Sequence, residues 1–215
     1  IKLKKKNILD SLLLFSLGAL SSLSLPPFNF FLINFFTFSF FFIFLYKKIK
    51  TFPNKKISFY YGWLFGFGYF LTNLYWITIS LTFDKNLSFL IPIAFLFIPA
   101  FLALFYGFIT FLFFLFKLKN LISIFFLFSL LFGLVEFVRG NILTGFPWNL
   151  IIYSLSEKLN FISFISIIGT YSFNLILLSI FTAPAIYILK NSRKDAINFF
   201  NNTSSIPFSY YFSYG

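Results

Sequence analysis

The sequence has no cysteine, no histidine and no methionine, and only five acidic residues among 215. Without cysteine there is no thiol nucleophile and no disulfide, and without histidine there is no imidazole base. A Ser-His-Asp triad and the usual Cys/His zinc sites are therefore excluded, and no metal or other cofactor is expected. Charge is scarce as well: 10% of residues are charged, against about a quarter in a soluble domain. Such a chain cannot cover a water-facing surface with polar groups. What it has instead is apolar, 60% hydrophobic residues with 41 phenylalanines. Runs of about 18 or more apolar residues recur, and each is a candidate membrane helix. The runs are continuous rather than alternating, which argues against a β-barrel. The expected fold is all-α, a polytopic membrane helix bundle. Phe, Ile, Leu, Lys, Asn and Tyr share AT-rich codons, so the phenylalanines are read as lipid-facing positions. "FFTFSFFFIFL" (35–45) is read as one such helix. The first residue is Ile1 and no methionine follows, so a fragment or a broken reading frame is expected.

Six spans are expected, over Ile8–Leu25, Phe28–Tyr46, Ile57–Leu81, Leu87–Phe116, Leu121–Val138 and Leu159–Leu189. At ~1.5 Å per residue each can cross a hydrocarbon core of ~30 Å. Pro92, Pro99 and Pro184 predict kinks or interfacial segments in the longer ones. If the spans alternate, Lys2, Lys4, Lys5, Lys6, Lys47, Lys48, Lys50, Lys55, Lys56, Lys117, Lys119, Lys190, Arg193 and Lys194 share one side, leaving Lys85, Arg139 and Lys158 opposite. Cytoplasmic loops are enriched in Lys and Arg, which predicts a cytoplasmic N-terminus. The net charge of +12 is then a topology signal that can also touch anionic lipid heads, and no nucleic-acid partner is expected. The basic, apolar N-terminus lacks a small-x-small cleavage site and is read as an uncleaved first helix. Residues 1–195 form the expected membrane domain. Residues 196–215, interrupted by Asn201, Asn202, Thr203, Ser204, Ser205 and Pro207, form a degenerate or truncated tail.

Three stretches stand out. "GWLFGFGYFLTNLYW" (62–76) carries Gly62, Gly66 and Gly68, small residues that let helix backbones approach in lipid, with Tyr75 and Trp76 as interfacial anchors. "SLPPFNFF" (24–31) is a turn between two helices. "LVEFVRGNILTGFPWN" (134–149) places Glu136 and Arg139 three apart, on one helix face, near the outer end of the fifth span. The bland reading is an ion pair that lowers the ~2.5 kcal/mol or more of burying a charge in lipid. The functional reading is a polar floor for a ligand at the outer leaflet. There Gly140 ends the helix, Gly145, Pro147 and Trp148 shape the outer loop that follows, and Trp148 anchors in headgroups or contacts a lipid substrate.

In this order, "LSLPPFNFF", "GWLFGFGYFLTNLYWI", "EFVRGNILTGFPWNLIIYS" and "IGTYSFNLILLS" (168–179) resemble the membrane domain of bacterial apolipoprotein N-acyltransferases, over roughly 8–189. The segment from Glu136 through Thr144 to Trp148 is the most specific. The resemblance implies location in the bacterial inner (cytoplasmic) membrane. It also implies transfer of an acyl chain from a membrane phospholipid to the N-terminal lipidated cysteine of a diacylated lipoprotein. The family's nitrilase-like domain, with its Glu-Lys-Cys triad, has no counterpart in these residues. Covalent acyl transfer needs an activated nucleophile, so no catalytic residue is assigned and these residues alone are expected to be inactive. Glu136, Arg139, Gly145, Phe146, Pro147 and Trp148 are the expected substrate-access residues. A small transporter or channel, or a non-catalytic membrane subunit that recruits a hydrolase, are the competing readings.

Overall fold

The computed structural model describes residues 2–51, 54–116, 118–142 and 145–204. Thr144, Lys117 and residues 205–215 of the tail lie outside the described residues, as do the side chains of Lys2 and Lys4 to Lys6, Lys50, Lys85, Arg193 and Lys194. Among the described residues the elements are all helical: α1 (Lys2–Ser22), α2 (Ile33–Thr51), α3 (Lys55–Asn73), α4 (Ile91–Leu115), α5 (Leu121–Asn141), α6 (Leu159–Ile168) and α7 (Thr170–Ser204), with 3-10 turns at Tyr75–Thr82, Lys85–Leu90 and Ile151–Leu155. Asparagine caps start two of the helices. Asn54 accepts from the Lys56 and Ile57 amides at 3.0 and 3.3 Å, and Asn120 accepts from the Ile122 amide at 3.0 Å. Each cap contributes about 1 kcal/mol.

Among the described residues three helices are long and apolar enough to cross a membrane: Ser88–Leu115, Leu121–Asn141 and Thr170–Asn191. A fourth exists if Lys55–Asn73 and Tyr75–Thr82, bent by 46°, count as one span. The third expected span is thus broken after Asn73. Ile8–Ser22 is a shorter apolar helix. The sixth expected span is divided as well. Gly169, at φ 82° and ψ 156°, sits in a region essentially restricted to glycine and separates α6 from α7. Both Pro99 and Pro184 lie inside continuous helices. α7 runs through 195/196 to Ser204.

α3 is the central helix, packed against α4 on one side and α1 on the other, while α2, α5 and α7 complete the bundle. Glycine makes these approaches possible. A Cβ on Gly62 would fall 2.3 Å from the Tyr106 carbonyl oxygen, one on Gly66 would fall 2.8 Å from Tyr106 Cβ, and one on Gly68 would fall 2.2 Å from the Phe15 oxygen. Hydroxyls lock helix contacts too: Thr110 of α4 donates to the Ser58 carbonyl of α3 at 2.7 Å, and Ser39 of α2 donates to the Phe181 carbonyl of α7 at 3.1 Å.

The phenylalanine-rich α2 corrects one expectation. Phe38, Phe41 and Phe42 are fully buried, and of the phenylalanines on this helix only Phe36 and Phe40 face outward. The helix is a core element rather than a lipid-facing one. The Phe41 and Phe65 rings stack at 4.1 Å, and Phe128 and Phe132 lie at 4.8 Å. Flat aromatic rings bury large apolar area with few rotatable bonds.

Candidate functional site

The site forms where the ends of α3 and α5 meet the segment from Gly145 to Asn149. α5 buries Glu136 and Arg139, which are 2% and 1% exposed. Arg139 Nε donates to Glu136 Oε2 at 2.8 Å, and Nη2 donates to the same oxygen. Nη1 turns the other way and donates to the carbonyls of Phe146 at 2.8 Å and Trp148 at 3.0 Å. The guanidinium also lies over the Phe70 ring, 5.4 Å from its centroid. A planar fork with fixed donors can hold a carboxylate and two carbonyls at once, which a lysine cannot. The pair is therefore more than an ion pair: it fastens the chain beyond the helix to the helix itself.

The turn that allows this depends on Gly145. Its φ is 75°, its amide donates to the Ile142 carbonyl at 2.9 Å, and the next amide, of Phe146, donates back to the Arg139 carbonyl at 3.2 Å. A Cβ there would lie 2.6 Å from the Gly140 oxygen. Gly140 itself does not end the helix, which continues to Asn141 with Ile142 as its cap. Gly140 is small for another reason: a Cβ would fall 1.8 Å from the Tyr171 hydroxyl of α7.

A second clamp comes from α3. Tyr69 donates to the Asn149 carbonyl at 2.8 Å, and the Asn149 side chain donates to Asn73. Asn149 is held at φ 62°, a conformation asparagine tolerates better than most residues. The neighbouring 3-10 turn is tied to α7, where the Asn174 side chain accepts from the Ile152 amide at 2.9 Å. Sequence reasoning missed Tyr69, Asn73, Asn149 and Asn174. The available signal was three amides standing alone in apolar text. Tyr106 was missed too; it is buried, and neither its hydroxyl nor Glu136 Oε1 has a hydrogen-bond partner among the described residues.

The clamped segment has a different cavity on each side. One, of about 580 Å³, is lined by Leu25, Pro26, Asn73, Trp76, Pro147, Trp148, Asn149, Tyr153 and Ser156. Trp76 and Trp148 face each other there at 5.9 Å, and Trp148 is 57% exposed. Burial pushes the Tyr153 phenol above its ordinary pKa, with Tyr171 adding to the shift and Arg139 opposing it. On the other side, a cavity of about 190 Å³ is lined by Arg139, Ile142, Gly145 and Phe146 together with α4 side chains. Glu136 lines neither cavity. The structure thus brings Arg139, Gly145, Phe146, Pro147 and Trp148 into one assembly with Glu136 behind it. Gly62, Gly66 and Gly68 lie at the helix contacts already described.

The family model for the apolipoprotein N-acyltransferase N-terminal domain matches residues 17–183. The chain belongs to this family. Among similar N-acyltransferases, one from Rhizobium etli is 34% identical over 194 residues, covering 87% of this chain and 36% of the relative. One from Rhodopseudomonas palustris is 37% identical over 177 residues, covering 80% and 32%, and one from Brucella suis is 34% identical over 179 residues, covering 79% and 33%. The chain spans about a third of the length of the curated relatives it matches. Both clamp partners, Glu136 and Arg139, fall inside the matched N-acyltransferase segment.

Proposed function

We propose that this chain is the membrane domain of an apolipoprotein N-acyltransferase-like protein of the bacterial inner membrane. It holds six spans with a cytoplasmic N-terminus and an outward-facing segment at 145–149. Residues 1–195 make up that domain, and 196–215 a tail outside it. The cleft beside Trp148 receives lipid-bearing substrates, a phospholipid as acyl donor and a diacylated lipoprotein as acceptor. The observation that carries the reading is the family match across 17–183, which covers the doubly clamped segment and its two tryptophans. Aromatic side chains with a polar edge suit a headgroup-level position, and a rigid clamp keeps such a cleft open. With no cysteine or histidine in 215 residues, these residues alone supply no activated nucleophile and do not transfer acyl groups.

A chimera tests this. Residues 17–183 replace the matching stretch of a full-length relative, and lipoprotein N-acylation is measured in cells depleted of the native enzyme. The chimera restores N-acylation, and Trp148→Ala reduces it at least tenfold with unchanged membrane insertion. The 215-residue chain alone gives none. A well-inserted chimera without activity, or N-acylation by the chain alone, contradicts the proposal.

A further inference from the structure

We infer that Tyr106 is a positioning residue for the clamp: its phenol donates to Glu136 Oε1 and so fixes the carboxylate that orients Arg139. A guanidinium and a carboxylate frequently meet through two parallel bonds, one to each oxygen. Here Arg139 Nε and Nη2 both donate to Glu136 Oε2, and Oε1 has no partner among the described residues. Glu136 is 2% exposed. A charged oxygen buried without a donor is strongly destabilising, so the site calls for one more N–H or O–H.

Tyr106 supplies it from α4. The residue is 1% exposed, and its hydroxyl also lacks a partner among the described residues. Its Cβ lies beside Gly66, while its ring packs on Tyr69 at 6.0 Å, Phe70 at 5.3 Å and Phe132 at 5.2 Å. The phenol therefore points along α3 toward the clamp, where the Arg139 guanidinium lies over that same Phe70 ring. Phe132 stands one turn before Glu136 on the same face of α5. The charged groups facing the hydroxyl are Glu136 and Arg139, and of these only the carboxylate can accept. Other hydroxyls do not compete. That of Tyr69 is committed to the Asn149 carbonyl, and Ser129 lies two turns, about 10 Å, before Glu136 along α5. The contacts then run from α4 through Tyr106, Glu136 and Arg139 to the carbonyls of Phe146 and Trp148, so α4 helps to hold the wall of the Trp148 cleft.

The test is Tyr106→Phe, which removes one oxygen and keeps the ring. Were the hydroxyl unpaired, its removal would raise the melting temperature, because burying an unpaired hydroxyl is unfavourable. The inference predicts the opposite sign. The melting temperature of the full chain in detergent micelles falls by roughly 5 °C, the scale of one hydrogen bond to a charged group in a chain of this length. Infrared spectroscopy reads the acceptor itself. Glu136 and Glu157 are the glutamates of the chain, so isotope-labelled glutamate in a Glu157→Gln background marks the Glu136 carboxylate alone. Its antisymmetric stretch shifts to higher frequency in Tyr106→Phe and stays in place in Tyr187→Phe, a change at an exposed tyrosine. In a Trp63→Phe, Trp76→Phe background, Tyr106→Phe also lowers the fluorescence anisotropy of Trp148. A melting temperature that rises or holds, a Glu136 band that does not move, or an unchanged anisotropy overturns the inference. None of these readouts involves acyl transfer, so the inference and the proposed function fail separately.

Discussion

Glu136 neutralises Arg139 where both side chains are buried, and Arg139 in turn holds the backbone of Phe146 and Trp148. Removing one member of a buried charged pair costs about 3–5 kcal/mol because the other is left uncompensated. Glu136→Ala therefore lowers stability by about that amount, measured by denaturant unfolding in detergent micelles. Arg139→Lys keeps the charge but cannot reach a carboxylate and two carbonyls together. It leaves the helix folded and loosens the segment, read as a fall in Trp148 fluorescence anisotropy in a Trp63→Phe, Trp76→Phe background. An unchanged anisotropy would contradict the clamp. The Glu136 and Arg139 pairing was legible in the sequence because three residues is a fixed helical offset. The acceptors at Phe146 and Trp148 were not, since they depend on the path that Gly145 sets through its positive φ. Nor was Tyr69, whose partner, the Asn149 carbonyl, lies 80 positions away.

At the scale of the element, helix existence was readable from apolar runs, and helix interruption was not. The fifth span was expected over 121–138 and is observed over Leu121–Asn141, since a cap and an apolar run define it locally. The breaks after Asn73 and at Gly169 escaped because hydropathy stays high across both. The facing of α2 escaped for a related reason: a helix apolar all round gives no moment to orient it, and its contacts with Phe65 and Phe128 are set by its neighbours. Glycines separate two kinds of effect here. Gly62→Val places a side chain against the Tyr106 carbonyl and Thr110, an overpacking that costs about 1–3 kcal/mol or more. It also separates α3 from α4, measured as a lower melting temperature together with faster proteolysis between them. Gly169→Ala meets no atom within 4 Å, so its cost is backbone strain alone, about 1–3 kcal/mol. That change destabilises α6 against α7 and leaves the α3–α4 contact intact. If both variants melt like the parent, the packing account of the bundle is wrong.

At the scale of the whole molecule, the acidic side chains described in the α-helices are paired in place. Asp10 pairs with Lys48 near one end, and Glu136 pairs with Arg139 near the other. The two pairs sit on different helices, Asp10 and Lys48 on α1 and α2 and Glu136 and Arg139 on α5. The arrangement also makes the molecule easy to interrogate, because a chain with no cysteine is already a background for single-cysteine labelling. The most direct test places one cysteine at Trp148, on the clamped segment, and in a second variant one at Lys119, between α4 and α5. A membrane-impermeant maleimide is then applied to intact spheroplasts and to inverted vesicles. The proposed topology predicts that Trp148→Cys labels only in spheroplasts and Lys119→Cys only in inverted vesicles. Labelling of both positions from the same side would contradict it.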